Sequence, residues 1–366
     1  MKTTDNIKAV LYAKEDKDRP IVQSFLHLKD RGNLEKEYIE YQSQEEMNAA
    51  LHELSVRGLS TREVVALTNF PGRIAQRCPG SNNMLCCNYS LLNTCFGCLY
   101  NCAYCFLNSY INFFGIRQFV NVENAADELM ENSFFHTDGI IRRIGTGEFT
   151  DSLMFDETTN IAQSMIIRLA EAKNIALEFK TKSSNIGHLL NLRHGSNTVL
   201  AWSLNTDYAI RNYEEGTASL SERLAAAKQA AEAGYTVAFH FDPIIRYEGM
   251  ETDYRDVVNR MFQAAPPSKV AWISLGCFRI GKGFKAAGMP AYEMLPCPDG
   301  KLRYLRSFRR GVYRAMNNLI KAHSSEPFVY LCMEDNEMWH DVFSNDYDSR
   351  EALEAAMSAN FAKRFL

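Results

Sequence analysis

The stretch Cys98-Leu-Tyr-Asn-Cys102-Ala-Tyr-Cys105 constrains this chain more than any other. Its three cysteines are separated by three and then two residues. Thiolates this close on a loop can converge on one metal centre, and their softness selects zinc or iron–sulfur. A closed structural zinc site takes four protein ligands. Three ligands leave a metal position open for chemistry. The competing reading is a zinc knuckle completed by a distant ligand.

Ten cysteines occur in 366 residues, and Met1-Lys-Thr-Thr-Asp-Asn runs into charged sequence with no apolar leader. That pattern favours a reducing cytoplasm and metal ligation over disulfides, with no membrane partner. A net charge of -4 excludes a globally basic nucleic-acid binder, so any such surface must be a local patch.

The chain divides by composition and pattern. Residues 1–70 read as a mixed α/β extension that packs on the rest, with a short strand at Ala9–Tyr12 and a helix capped by Ser43 and Glu46. Residues 71–97 form a cysteine-rich segment with Cys78, Cys86, Cys87 and Cys95. These four are a candidate second metal site, either a further iron–sulfur cluster or zinc. Against that, free cysteines pack as small hydrophobes, and adjacent side chains such as those of Cys86 and Cys87 diverge.

Residues 98–325, with a first strand from about 89, alternate strand-length apolar runs with helical ones. Strands are expected at 89–93, 140–145, 175–181, 198–205, 236–241 and 270–276, with helices such as 157–173 and 219–233 between them. Six such units predict an α/β fold, a partial (β/α)6 barrel, with its site at the C-terminal ends of the strands. Residues 326–366 are read as a C-terminal extension. Polar groups stand at the expected strand ends: Glu148, Thr150 and Asp151; Lys182; Ser203 and Asn205; Asp242; and Cys277.

The cysteine spacing, with Tyr104 before the last cysteine, resembles the signature of radical S-adenosylmethionine (SAM) enzymes. Further marks make the run from Cys98 to about Arg279 resemble the spore photoproduct lyase family among them. These are Thr181-Lys182, Ser203-Leu-Asn205, Tyr213-Glu-Glu-Gly-Thr217, Arg223-Leu-Ala-Ala-Ala and Asp242-Pro-Ile-Ile-Arg-Tyr-Glu-Gly249. The segment Cys78-Pro-Gly…Cys86-Cys87 resembles a divergent subgroup of lyase-like proteins.

The resemblance implies a [4Fe–4S] cluster on Cys98, Cys102 and Cys105, whose open iron binds SAM. It implies Lys182 at the SAM carboxylate, with Thr150, Asp151 and Ser203 around its methionine and ribose and Tyr104 near its adenine. Glu148 resembles the carboxylate that many radical SAM enzymes set against the SAM ammonium. A reducing partner such as a flavodoxin or ferredoxin is implied, as is a substrate that is a nucleic-acid lesion or modified base.

Two departures stand out. The lyases quench their product radical with a cysteine after the second strand, where this chain has Glu148, and relay it through a tyrosine where this chain has Phe106. Cys277 is the expected substitute donor at a strand end. The alternative function, from a different class, is a non-catalytic zinc-bearing nucleic-acid-binding protein. It would use the arginines of Lys301–Arg314, interleaved with Tyr304, Phe308 and Tyr313. The same stretch also reads as a structural helix with one apolar face. Residues 328–334 read as a late strand, with Cys332 as core.

Overall fold

The structure, a computed structural model, describes residues 1–28, 36–78, 80, 83–131, 139–281, 283–284, 288–289, 293–344 and 347–364. Pro79, Ser81 and Asn82 of the cysteine-rich segment lie outside them.

Short apolar runs at the N-terminus form β1 (Ala9–Ala13), β2 (Glu37–Tyr41) and β3 (Val64–Thr68), parallel, with β1 central. The helix Gln44–Val56 covers one face, burying Met47, Leu51 and Leu54 on Leu11, Val64 and Ala66. Ser43 caps it by accepting the Glu46 N–H at 3.2 Å. Glu46 reaches back to the Gln42 N–H and not to that of Ser43.

The chain then forms β4 (Ala75–Arg77) and β5 (Ser90–Leu92) at one edge of the main sheet. It returns with β6 (Cys95–Phe96), β7 (Asn101–Cys102) and β8 (Ile116–Phe119). β8 and β6 complete the N-terminal sheet in the order β2-β1-β3-β8-β6. The first seventy residues therefore share a sheet with the segment that carries the cysteine motif.

The main sheet continues through β9 (Arg142–Gly145), β10 (Ile175–Thr181) and β11 (Thr198–Ser203). β12 (Glu214–Glu215) leaves it to pair antiparallel with β7. β13 (Thr236–Ile244) and β14 (Val270–Cys277) rejoin it. β15 (Arg279–Ile280), β16 (Met294–Pro296) and β17 (Leu302–Tyr304) make a small antiparallel sheet beside it. β18 (Phe328–Leu331) closes the order β4-β5-β9-β10-β11-β13-β14-β18, parallel from β5 onward.

The curled parallel sheet is as expected, with two strands more, the antiparallel β4 at one edge and the parallel β18 at the other. β18 lies in the segment read as an extension, yet the helix Arg306–His323 crosses over and returns the chain to the sheet. The helix expected at 157–173 is broken. Asn160 adopts φ 54°, and Asp156 Oδ1 accepts the Ala162 N–H at 2.6 Å, so Asp156–Thr159 and Ile161–Arg168 are separate helices. The helix Leu220–Glu232 carries the expected capping box of Ser219 and Glu222. No helix among the described residues is long and apolar enough to cross a membrane.

Inside the curl the strands do not meet through apolar side chains alone. Glu178 of β10 accepts from Trp272 Nε1 of β14 at 2.7 Å, contacts His240 Nε2 of β13 at 2.8 Å and pairs with Arg143 of β9 at 3.4 Å. Arg143 also donates to the Tyr330 hydroxyl of β18 at 3.0 Å. Its guanidinium lies 4.5 Å from the Trp272 ring centroid. This polar floor ties five strands together beneath the C-terminal mouth.

Candidate functional site

The cysteine loop is held from three sides. β7 pairs with β12 so that Cys102 stands opposite Glu214, and the Ala103 N–H donates to the Tyr213 carbonyl at 2.8 Å. From the N-terminal extension, Arg62 donates to the Tyr100 carbonyl at 3.1 Å and to Asn108 Oδ1 at 2.7 Å. Asn108 in turn donates to the Cys102 carbonyl at 3.0 Å. The first seventy residues thus reach the motif through Arg62, a role their composition did not disclose.

The thiols of Cys98, Cys102 and Cys105 are electrostatic neighbours. Burial pushes the Cys102 thiol up to about 12, with Lys182 opposing it, and raises those of Cys98 and Cys105 as well. A metal that binds here must therefore displace protons. Among the described residues no three His, Cys, Asp or Glu side chains converge as ligands of a single ion. A cubane differs, because each cysteine meets its own iron, and three neighbouring thiols fit that requirement. Lys182 extends over the Tyr104 ring, with Nζ 5.8 Å from its centroid, and this ammonium has no hydrogen-bond acceptor among the described residues.

Tyr104 is held by its hydroxyl, which donates to Glu214 Oε1 at 2.6 Å. Burial alone would raise the Glu214 carboxyl, but Arg223 and Lys182 hold it below its ordinary value. Neither Glu214 nor Arg223 is among the candidates picked from the sequence. Their only signal is that each sits inside a quoted family mark.

The remaining candidates divide by what they touch. Asp151 is buried with its carboxylate occupied. Oδ1 accepts from the Thr181 hydroxyl at 2.7 Å and the Leu153 N–H at 3.1 Å, and Oδ2 accepts the Lys182 N–H at 2.7 Å. Burial raises its carboxyl, and these hydrogen bonds only partly offset the rise. It clamps the strand tip that carries Lys182. Thr150 lies beside it on a cavity of about 20 Å³, shared with Cys95, Thr146 and Ser152, which is room for one water.

Ser203 is buried, and its carbonyl accepts from Arg223 at 2.8 Å. Asn205 donates to Glu214 at 3.3 Å and the Pro243 carbonyl at 3.2 Å, and accepts from the Tyr254 hydroxyl at 2.7 Å. Asp242 pairs with Arg279 at 3.1 Å. Arg279 outweighs burial and holds that carboxyl below its ordinary value. Gly276 has to be glycine at this point, because a Cβ there would lie 2.7 Å from Asp242 Oδ1.

Two placements correct the sequence reading. Cys277 is not on the rim. β14 runs one residue further than expected, and Cys277, next to Gly276, turns to the opposite face. Its N–H donates to the Tyr313 hydroxyl of the covering helix at 2.8 Å, and burial pushes its thiol up to about 12. Cys332, read as core, instead follows β18 directly, with Sγ 3.8 Å from Arg279 Nη2, beside Asp242. Nor are the four extra cysteines gathered. Cys78, Cys86 and Cys87 are electrostatic neighbours, with Glu148 beside Cys78. Cys95 lies on β6 next to Thr150.

The basic helix is also accounted for. Arg306 pairs with Asp335, Arg309 with Glu334 and Arg310 with Asp341. Phe308 packs on Tyr304, and Tyr313, Met316 and Ile320 form the buried face. These arginines meet acids of the following segment, which weakens the reading of the helix as a phosphate track. Phe106, where the lyases carry a tyrosine, is exposed and meets Tyr110 and Phe149 ring to ring.

Comparison with known proteins bears on this geometry. The family model described as spore photoproduct lyase matches residues 86–284. The spore photoproduct lyase of Bacillus subtilis (strain 168) is 32% identical over 171 residues, covering 46% of this chain and 50% of the relative. That of Geobacillus sp. (strain Y412MC61) is 29% identical over 168 residues, covering 45% and 48%. The chain thus spans about half the length of the curated relatives it matches. Among solved structures, spore photoproduct lyase complexed with dinucleoside spore photoproduct superposes with a TM-score of 0.74. The identity is 21%, over 89% of this chain and 98% of the other, which is a likeness of fold. A mutant of that lyase with bound AdoMet and dinucleoside spore photoproduct superposes with a TM-score of 0.73 at 20% identity, covering 89% and 98%.

Proposed function

The chain belongs to the spore photoproduct lyase family, and on that premise we propose that it is a radical SAM enzyme acting on a nucleic-acid lesion or modified base. The observation that carries the reading is the meeting of three neighbouring thiols with an ammonium, that of Lys182, which lacks an acceptor. Cys98, Cys102 and Cys105 would hold a [4Fe–4S] cluster, and Lys182 would take the SAM carboxylate. When bound, the reduced cluster and SAM supply a 5′-deoxyadenosyl radical that abstracts hydrogen from the substrate. The chain's part is to bind and orient: Asp151 fixes the strand tip of Lys182, and Glu148 would receive the SAM ammonium. A flavodoxin or ferredoxin would deliver the electron. The substrate class rests on the relatives, whose solved structures hold a dinucleoside spore photoproduct. With Glu148 and Phe106 at the two relay positions, we infer that the lyases' own quenching route is not the one used here.

The test is anaerobic reconstitution followed by metal analysis and incubation with SAM and dithionite. About four irons per chain and formation of 5′-deoxyadenosine are expected. A colourless zinc protein that leaves SAM intact would overturn the reading. Iron beyond that amount, lowered by replacing Cys86 and Cys87 together, would mark a second site at Cys78, Cys86 and Cys87. Cys277→Ala is expected to leave 5′-deoxyadenosine yield and product distribution unchanged, with a stability loss of about 1 kcal/mol. Radical-derived adducts in that variant would return the donor role to Cys277.

A further inference from the structure

We infer that Glu214 is a positioning residue for SAM, acting through Tyr104 and the charge of Lys182; this rests on the radical SAM reading above. Glu214 lies on β12, which pairs directly with the strand that carries Cys102. Its side chain is buried, and both carboxylate oxygens are used. Oε1 accepts from the Tyr104 hydroxyl at 2.6 Å and from Asn205 Nδ2 at 3.3 Å, while Oε2 accepts from Arg223.

Arg223 is fully buried and has no freedom of its own. It donates to the Ala218 carbonyl at 2.9 Å, the Ser203 carbonyl at 2.8 Å and the Thr217 hydroxyl at 2.7 Å as well as to Glu214. Glu214 is therefore anchored to the end of β11 by one hand and holds the Tyr104 ring by the other. A hydroxyl with this little freedom fixes the ring plane, and the ring lies under the Lys182 ammonium.

Charge points the same way. Lys182 and Arg223 bring two positive charges together here, and Glu214 is the carboxylate that acts on both, with Asp151 beside Lys182 as well. Arg223 is satisfied by four acceptors, whereas the Lys182 ammonium has no hydrogen-bond acceptor among the described residues. The half-buried ammonium feels Glu214 only through space, so its N–H donors remain open. A carboxylate arriving from a ligand would take those donors, and the amino-acid end of SAM carries one. Without Glu214, two like charges would face each other and the Tyr104 hydroxyl would be buried without an acceptor. The lysine would then be driven from its place over the ring. The backbone of the cysteine loop is held by contacts from Arg62, Asn108 and the β7–β12 pairing, none of which uses this carboxylate, so the cluster itself does not depend on it.

The experiment compares wild type, Tyr104→Phe, Glu214→Gln and the double variant as anaerobically reconstituted full chains. Iron content, thermal unfolding and the SAM dissociation constant by equilibrium dialysis are measured for each. Tyr104→Phe deletes one oxygen and is expected to keep its iron while binding SAM about tenfold more weakly, the scale of a lost hydrogen bond to a charged group. Glu214→Gln removes the charge but keeps an acceptor for the Tyr104 hydroxyl, so it should weaken SAM binding by itself and the double variant should bind SAM more weakly than either single variant. SAM affinity equal to wild type in Tyr104→Phe would overturn the inference, whatever Glu214→Gln does to folding. Should Glu214→Gln not fold, Tyr104→Phe decides the matter alone. Wild type that holds iron but binds no SAM would instead sink the functional reading.

Discussion

Cys102→Ala is expected to lose its cluster iron and to form no detectable 5′-deoxyadenosine, a loss of more than about 100-fold, beyond what removal of a supporting partner costs. Cys102 is the middle cysteine and the most enclosed of the three, on β7 with its backbone paired to β12. Its carbonyl also accepts from the Cys105 N–H at 3.1 Å and from Asn108. Alanine keeps all of those backbone contacts, so the loop should retain its shape. Thermal unfolding of the metal-free variant should match metal-free wild type, while iron analysis and product chromatography separate the two. Reductive SAM cleavage by Cys102→Ala at the wild-type rate would show that the radical chemistry is not seated on these cysteines.

The parts of this molecule legible in sequence were those with local causes. The cysteine spacing, the capping box at Ser219 and Glu222, and the strand at Ile175–Thr181 each follow from residues that are near neighbours in the chain. What stayed hidden depends on distant partners. Glu178 reads as one acid in an apolar run. Only the curl of the sheet brings it to Arg143, His240 and Trp272 on three other strands.

Cys277 shows a finer failure. Ending the strand at Gly276 made the next residue look like a rim residue. In β14 it is one more strand position, and the two-residue period puts its thiol on the face away from the one Gly276 leaves open to Asp242, in contact with Tyr313. Cys332 gained its place beside Asp242 and Arg279 because β18 joins the main sheet, which its short apolar run could not disclose. Glu214 and Arg223 lay inside recognised marks, but a mark shows that a residue matters and not what it touches.

The polar floor predicts acid lability. Burial holds the His240 imidazole below its ordinary value, with Glu178 opposing the shift. One neutral tautomer satisfies both neighbours: Nε2–H donates to Glu178, and Nδ1 accepts from the Ser274 hydroxyl at 2.8 Å. Burial would raise the Glu178 carboxyl, but Arg143 and His240 outweigh it and hold that group well below the usual carboxylate range. Tyr89, Tyr330 and Cys87, which also face this pair, stay neutral because burial raises them further. Lys180 adds a positive charge that favours ionised Glu178 and disfavours protonated His240.

Both shifts are downward, so the unfolded chain binds protons that the folded chain refuses. Stability from each group is complete above its unfolded value and is lost as pH falls. The decline should begin below about pH 6.5 as unfolded histidine takes up its proton, and steepen near about pH 4.3, where unfolded glutamate follows. Glu178→Gln should cost about 3–5 kcal/mol at neutral pH, because it leaves the Arg143 guanidinium buried without its countercharge. The lower, steeper part of the decline should flatten in that variant. Urea denaturation of the metal-free chain between pH 4 and 8 measures both effects. A wild-type midpoint that stays level from pH 7 down to pH 4, or a Glu178→Gln curve parallel to wild type throughout, would mean that this floor is not charged in the way its contacts require.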